Sequence, residues 1–136
     1  MTTPAIVVTA AVIERADAFL LTRRVRGQHL EGMWEFPGGK VEPGETLEAS
    51  LVRELREELD LDATVGEEVF AVEHPYEDRV IRLHFFACTF TGDPTPLLGQ
   101  QMRWVPRAEL ASLPFPPADA ELIRRLSGAA HSTSER

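Results

Sequence analysis

The chain has no second cysteine, no run of basic residues and no apolar stretch long enough to cross a bilayer, and each absence closes off a class of function. A lone Cys88 leaves no internal disulfide, which fits a reducing compartment, and its apolar neighbours mark it as an inert strand thiol rather than a nucleophile. With no Lys/Arg run and a formal net charge of −8, the chain is not expected to hold duplex nucleic acid by neutralising its phosphates. Any phosphate contact must be local. The apolar run Ala5 to Ile13 is too short for a membrane span, no basic residue precedes it, and Glu14-Arg15 ends it, so it reads neither as an anchor nor as a leader. A cytoplasmic protein without a membrane partner is the expectation.

What remains is enough for one compact domain. With 136 residues, 43% of them hydrophobic, the chain can bury a real core without a second unit. We place a single domain over residues 1–127 and a flexible tail over 128–136. Val7, Val8, Val12 and Ile13 suggest a buried strand, and Phe19 to Thr22 a second strand paired with it through the Arg15-Ala16-Asp17 turn. Further strands are expected at Thr64 to His74, Val80 to Phe90 and Gln101 to Val105. Helices are expected at Thr46 to Leu59, Arg107 to Leu113 and Asp119 to Leu126. Gly92 to Pro96 is a loop, and no internal repeat is found. This order gives an α/β (α+β) protein, a mixed sheet flanked by helices.

The most informative segment runs from Gly39 to Leu61. A loop crowded with Pro37, Gly38, Gly39, Pro43 and Gly44 leads into a helix that carries Glu54, Glu57 and Glu58. At about 100° per residue, these three carboxylates fall within an arc of roughly 100°. Like charges so placed repel, and the cluster costs stability unless a cation neutralises it. Hard oxygen donors in that number suit Mg²⁺ or Mn²⁺. A solvated outer face is the commoner reading of an acidic helix. Against it, the stripe Leu51, Leu55 and Leu59 with Val52 lies beside the acidic arc, which puts the carboxylates at the edge of a packed interface. The glycines before the helix let backbone groups approach a metal or phosphate closely, although turn chemistry alone would also explain them.

The same segment resembles the Nudix box, G-x5-E-x7-R-E-U-x-E-E-x-G-U with U aliphatic. Gly39, Glu45, Arg53, Glu54, Leu55, Glu57, Glu58 and Leu61 match in register, and only Asp60 departs, standing where the pattern has Gly. Asp tolerates the left-handed conformation that a helix C-cap demands, so a small stability cost and no functional change are expected. The resemblance implies the Nudix α/β/α sandwich. It also assigns Glu54, Glu57 and Glu58 with the Gly39 carbonyl to the metal, and Glu45 with Arg53 to orienting that shell.

Outside the box, Trp34 to Lys40, with Phe36, Gly38 and Lys40, looks like the entry segment of the MutT-type branch, which converts nucleoside triphosphates to a monophosphate and pyrophosphate. Phe115 to Asp119 resembles the segment with which that branch contacts the base, with Asp119 in place of the usual Asn. Arg23, His29 and Arg79 match positions used around phosphate and base, and Tyr76, in the polar stretch His74 to Asp78, offers a ring to stack on a nucleobase. For each arginine the plain alternative is a surface cation, for Phe36 a core aromatic, and for Asp119 a helix cap. In the branch the attack falls on the β-phosphorus, with a carboxylate on the loop before the penultimate strand. Here that loop reads Leu97-Leu98-Gly99-Gln100-Gln101 and holds no acid, so either Glu54 takes the proton or metal-bound water needs no dedicated base.

The resemblance implies a Mg²⁺-dependent pyrophosphohydrolase acting on a small nucleotide as monomer or homodimer, with 8-oxo-dGTP first among substrates. CTP or a modified dCTP stands second, because an ionised Asp119 only accepts hydrogen bonds and needs donors opposite. A diphosphatase of dinucleoside polyphosphates or nucleotide sugars, and a binding module that has lost catalysis, are the remaining alternatives.

Overall fold

The computed structural model describes residues 4–28 and 30–134, with the backbone alone for 129–134. Alternation along the strands decides the layering. In β1 (Ala5–Val12), Ala10 and Val12 face one core, while Ala11, followed by Ile13 just past the strand, faces another. Beyond the short β2 (Glu14–Arg15), β3 (Ala18–Arg23) divides in the same way, with Phe19 and Leu21 opposed to Leu20. Strands that feed two cores must be covered on both faces. Helix α1 (Leu47–Leu59) closes one core with Leu51, Leu55 and Leu59, and α2 (Ala120–Ser134) closes the other with Leu122 and Ile123. The result is the expected α/β/α sandwich.

Two sheets make the middle layer. The first has the order β5 (Gly38–Lys40), β1, β7 (Arg79–Thr91), β6 (Asp62–Tyr76), with β1 parallel to β7 and the other pairs antiparallel. The second is built on β3: β8 (Met102–Pro106) takes one of its edges, and β2 and β4 (Trp34–Glu35) share the other in turn. Among the described residues, no helix is long and apolar enough to cross a membrane.

Helix α1 is fixed at both ends. Thr46 Oγ1 accepts from Ala49 N at 3.0 Å, satisfying one of the free amides of the first turn. At the other end Asp60 is left-handed, φ 57 and ψ 37, and donates to the Arg56 carbonyl at 3.1 Å while Leu61 N reaches back to the Leu55 carbonyl at 3.3 Å. This is the paired closure that usually uses glycine. Asp60 performs it without one.

Several expectations are corrected. The turn at Ala16 and Asp17, both with positive φ (52 and 62), closes β2 onto β3, whereas β1 pairs with β5 and β7 in the other sheet. The hairpin ladder reaches back to Ile13, whose carbonyl accepts from Leu20 N at 3.0 Å, and β1 before it is hydrogen-bonded to β7 instead. Arg107 to Ser112 forms a 3₁₀ helix rather than an α-helix. Val52, placed with the leucine stripe, is 36% exposed, because at helical spacing it turns away from Leu51 toward solvent. Helix α2 runs on to Ser134, past Gly128, where the tail was placed.

Candidate active site

A cavity of about 370 Å³ opens where β1, β4, β5, α1, the β6–β7 hairpin and the turn before α2 meet. It brings together nine of the residues singled out from the sequence: Phe36, Gly38, Gly39, Lys40, Glu54, Glu58, Tyr76, Arg79 and Asp119. They come from five separate elements and the link between β4 and β5. The cavity is acidic at its α1 end and mixed, aromatic and charged, near Asp119.

At the α1 end, Glu54 and Glu58 face the cavity while Glu57 turns outward, its side chain 58% exposed and its carboxylate 3.1 Å from Arg53 Nη1. Arg53 works as a brace. Its Nε donates to Glu45 Oε2 at 2.6 Å, and its Nη2 donates to Glu45 Oε1 at 3.0 Å and to the Lys40 carbonyl at 3.2 Å. One guanidinium therefore ties α1 to the loop that precedes it, and its hydrogen bonds hold the Glu45 carboxyl down at about 2.

The glycines of β5 make the close approach possible. A Cβ on Gly39 would lie 2.3 Å from Glu54 Oε2, so only a bare backbone admits the carboxylate against the strand. At Gly38 a Cβ would meet the Thr9 carbonyl oxygen at 2.0 Å, in the β1–β5 ladder itself. The first glycine serves the site and the second serves the sheet.

The donor set fits a hard divalent cation. Burial, then hydrogen bonding and repulsion from Glu54, push the Glu58 carboxyl far above its ordinary range, so a bound cation would release its proton. Thr9 Oγ1, on the cavity wall, is buried with no hydrogen-bond partner. Among the described residues no three His, Cys, Asp or Glu side chains converge on one point as they stand, since Glu57 is held by Arg53.

At the other end Asp119 is 4% exposed and lines the wall. It sits within a 3₁₀ turn, Pro117–Asp119, that runs straight into α2, so it is not the residue at which the helix begins. Burial, followed by the charge of Glu35, pushes its carboxyl up to about 7, and Arg24 pulls the other way. Arg24 and Glu35, absent from the sequence-derived set, are paired at 2.5 Å on the same wall, and burial raises the Glu35 carboxyl as well. The signal available was alternation within Trp34-Glu35-Phe36: Trp34 and Phe36 are buried in the α2-side core, which leaves Glu35 pointing to the other face. Phe36 is both core and wall, stacked on Phe115 with ring centres 6.0 Å apart. Tyr76 lines the mouth with its ring 4.9 Å from that of His74, and Arg79 Nε is buried with no hydrogen-bond partner.

Arg23 is not brought to the cavity. It donates to the Gly32 carbonyl at 2.9 Å and to Gln101 Oε1 at 3.0 Å, an arrangement that braces the loop after β3. His29 lies outside the described residues. The acid-free loop Leu97 to Gln101 packs against the end of α1: Leu97 N and Gln100 Nε2 both donate to the Glu58 carbonyl, at 3.0 and 3.3 Å.

The chain as a whole is similar to known proteins. The NUDIX domain family matches residues 8–125. The chain is 42% identical over 117 residues to the CTP pyrophosphohydrolase of Escherichia coli, covering 85% of this chain and 87% of that protein. It is 39% identical over 113 residues to the 8-oxo-dGTP diphosphatase of Haemophilus influenzae, covering 82% and 83%. The solution structure of the Escherichia coli ORF135 protein superposes with a TM-score of 0.80 at 38% identity, covering 98% of this chain and 94% of that one. With a family match over nearly the whole chain, and with Gly39, Glu54 and Glu58 lining one cavity, this protein belongs to the NUDIX domain family.

Proposed function

We propose that the protein is a Mg²⁺-dependent pyrophosphohydrolase of nucleoside triphosphates, converting 8-oxo-dGTP to its monophosphate and pyrophosphate. The observation that carries this is the layout of one cavity. Two carboxyl groups, Glu54 and Glu58, lie at the α1 end, and a buried Asp119 lies across from them with aromatic walls between. A volume of about 370 Å³ is near the lower end for ligand pockets, which suits one nucleotide better than a dinucleoside polyphosphate.

Glu54, Glu58 and the Gly39 carbonyl would hold the cation, with Glu57 joining once released from Arg53. When bound, it screens the phosphate oxygens against the carboxylates and lowers the pKa of the attacking water. Glu54, pressed against β5, accepts the water proton, and Arg53 with Glu45 keeps it there. Lys40 and Arg79 supply cationic donors to phosphate oxygens, the buried Arg79 Nε lying 3.8 Å from Asp78 Oδ1 but making no hydrogen bond. Tyr76 and Phe36 offer flat faces to the base.

Hydrolysis of CTP is the second reading, favoured by one observation: Glu35 and Asp119 put two carboxyl groups on the base side, and these suit an exocyclic amino group. The test is pyrophosphate release from 8-oxo-dGTP, dGTP, CTP, dCTP, a dinucleoside tetraphosphate and a nucleotide sugar, with and without Mg²⁺. Highest kcat/KM on 8-oxo-dGTP or CTP, abolished by chelation, supports the proposal. Preference for either of the last two compounds would overturn it.

A further inference from the structure

Thr9 is fully buried, and among the described residues its hydroxyl has no hydrogen-bond partner. Alternation along β1 turns its side chain toward α1, the face on which Ala11 and Ile13 enter the core closed by Leu51, Leu55 and Leu59. A hydroxyl in that apolar row is unfavourable, because it leaves water without gaining a bond, and valine would fill the same space. Packing does not call for the oxygen.

The surroundings of the hydroxyl do. Thr9 pairs with Gly39 across the antiparallel β1–β5 ladder, so the two positions share one face of the sheet. Cβ atoms directly opposed in this way stand about 5 Å apart. A Cβ on Gly39 would lie 2.3 Å from Glu54 Oε2 and 2.8 Å from Oε1, so the Glu54 carboxylate fills the space that a side chain at residue 39 would take beside Thr9. On the other side Arg53 Nη1 approaches Glu54 Oε2 at 3.4 Å. Ser50, one turn earlier on α1, is buried as well, but its hydroxyl is matched, donating to the Lys40 carbonyl at 3.5 Å. Thr9 therefore stands as an unmatched donor next to the carboxylate that the active site depends on most.

We propose that Thr9 is a positioning residue: in the loaded site its hydroxyl donates to one Glu54 oxygen and so fixes which oxygen is left for the cation and the attacking water. The inference rests on the metal-dependent reading above and adds to it a residue of β1 outside the box. With Gly39 clearing the space, Arg53 holding one side and Thr9 the other, Glu54 is gripped from both strands and from its own helix.

The experiment compares Thr9→Val, which keeps the shape and loses the hydroxyl, with Thr9→Ser, which keeps the hydroxyl and loses the methyl. Each is melted without metal, melted across a Mg²⁺ titration without nucleotide, and assayed for kcat and KM on 8-oxo-dGTP and CTP. Thr9→Val should melt at or above the native temperature without metal, need roughly 10-fold more Mg²⁺ for half of the thermal shift, and lose kcat roughly 10-fold with KM for both nucleotides little changed. Thr9→Ser should melt lower than the native protein yet keep its Mg²⁺ midpoint and kcat close to native. Native Mg²⁺ midpoint and kcat in Thr9→Val, or equal losses in both variants, overturn the inference while leaving the metal-dependent reading intact. A native protein whose melting temperature Mg²⁺ does not move, and which hydrolyses neither triphosphate, overturns both.

Discussion

Adjacent glycines on β5 offer a sharp separation of site from scaffold, through the pair of variants Gly39→Ala and Gly38→Ala. A methyl on residue 39 would stand 2.3 Å from Glu54 Oε2 and 2.4 Å from its Cδ. The obstruction is the far end of a flexible side chain, so the fold adapts at little cost, but the carboxylate must retreat by about 1 Å to reach van der Waals contact. A displacement of that size in a catalytic group costs about 100-fold in rate. A methyl on residue 38 instead meets backbone, the Thr9 carbonyl at 2.0 Å and Ala10 Cα at 2.8 Å, and nothing there can swing aside. Overpacking against a β-ladder costs about 3 kcal/mol, equivalent to a fall on the order of 10 °C in melting temperature. Thermal melts and steady-state kinetics on both variants make the comparison. Gly39→Ala should keep its melting temperature within a few degrees and lose activity; Gly38→Ala should lose stability first. Near-normal kcat in a well-folded Gly39→Ala protein would refute the placement of Glu54 in the reacting centre.

Other outcomes follow from the same geometry. Glu58→Gln removes a carboxyl whose charged form burial and the neighbouring Glu54 disfavour, so without metal it should melt at or above the native temperature while losing most turnover and the stabilisation that added Mg²⁺ gives the native protein, as differential scanning fluorimetry would show. Arg53→Ala breaks the ties to Glu45 and to the Lys40 carbonyl, and should lower both kcat and the melting temperature, the latter on the order of 5 °C. Tyr76→Ala should raise KM for nucleotides several-fold with kcat little changed, and an unmoved KM for every nucleotide would end its stacking role. Burial and the Glu35 charge raise the folded-state pKa of Asp119 to about 7 from an ordinary 3.8, so its share of stability is full below about pH 4 and is lost as pH rises through 7. Denaturant titrations should therefore show Asp119→Asn gaining on the native protein with rising pH, to about 3–4 kcal/mol above pH 8.

The box was legible because its chemistry is local. Spacing on one helix fixes Glu54, Glu57 and Glu58 to a common arc before any tertiary contact forms, and the left-handed Asp60 could be anticipated from the pattern position it occupies. The rotamer of Glu57 was not legible, since its contact with Arg53 depends on how Arg53 divides its donors among Glu45, Glu57 and the Lys40 carbonyl. The base end is assembled from residues far apart in sequence. Glu35 lies within Trp34 to Lys40 and Arg24 next to Arg23, yet their pairing depends on the loop between β3 and β4, which carries no periodic signal. Arg23, chosen over its neighbour Arg24, shows the cost: at a strand end a one-residue step moves a side chain to the opposite face. The β2–β3 hairpin was found, but its partner was misjudged because β1 leaves the turn's reach at Ile13 and joins the other sheet.

The most direct test of the central claim is ³¹P NMR of the products formed from 8-oxo-dGTP and from CTP in H₂¹⁸O, with Mg²⁺ and with chelator. The account predicts monophosphate and pyrophosphate only when Mg²⁺ is present, with the isotope shift on pyrophosphate, as attack on the β-phosphorus requires. Nucleoside diphosphate with inorganic phosphate, or equal turnover in chelator, would contradict it.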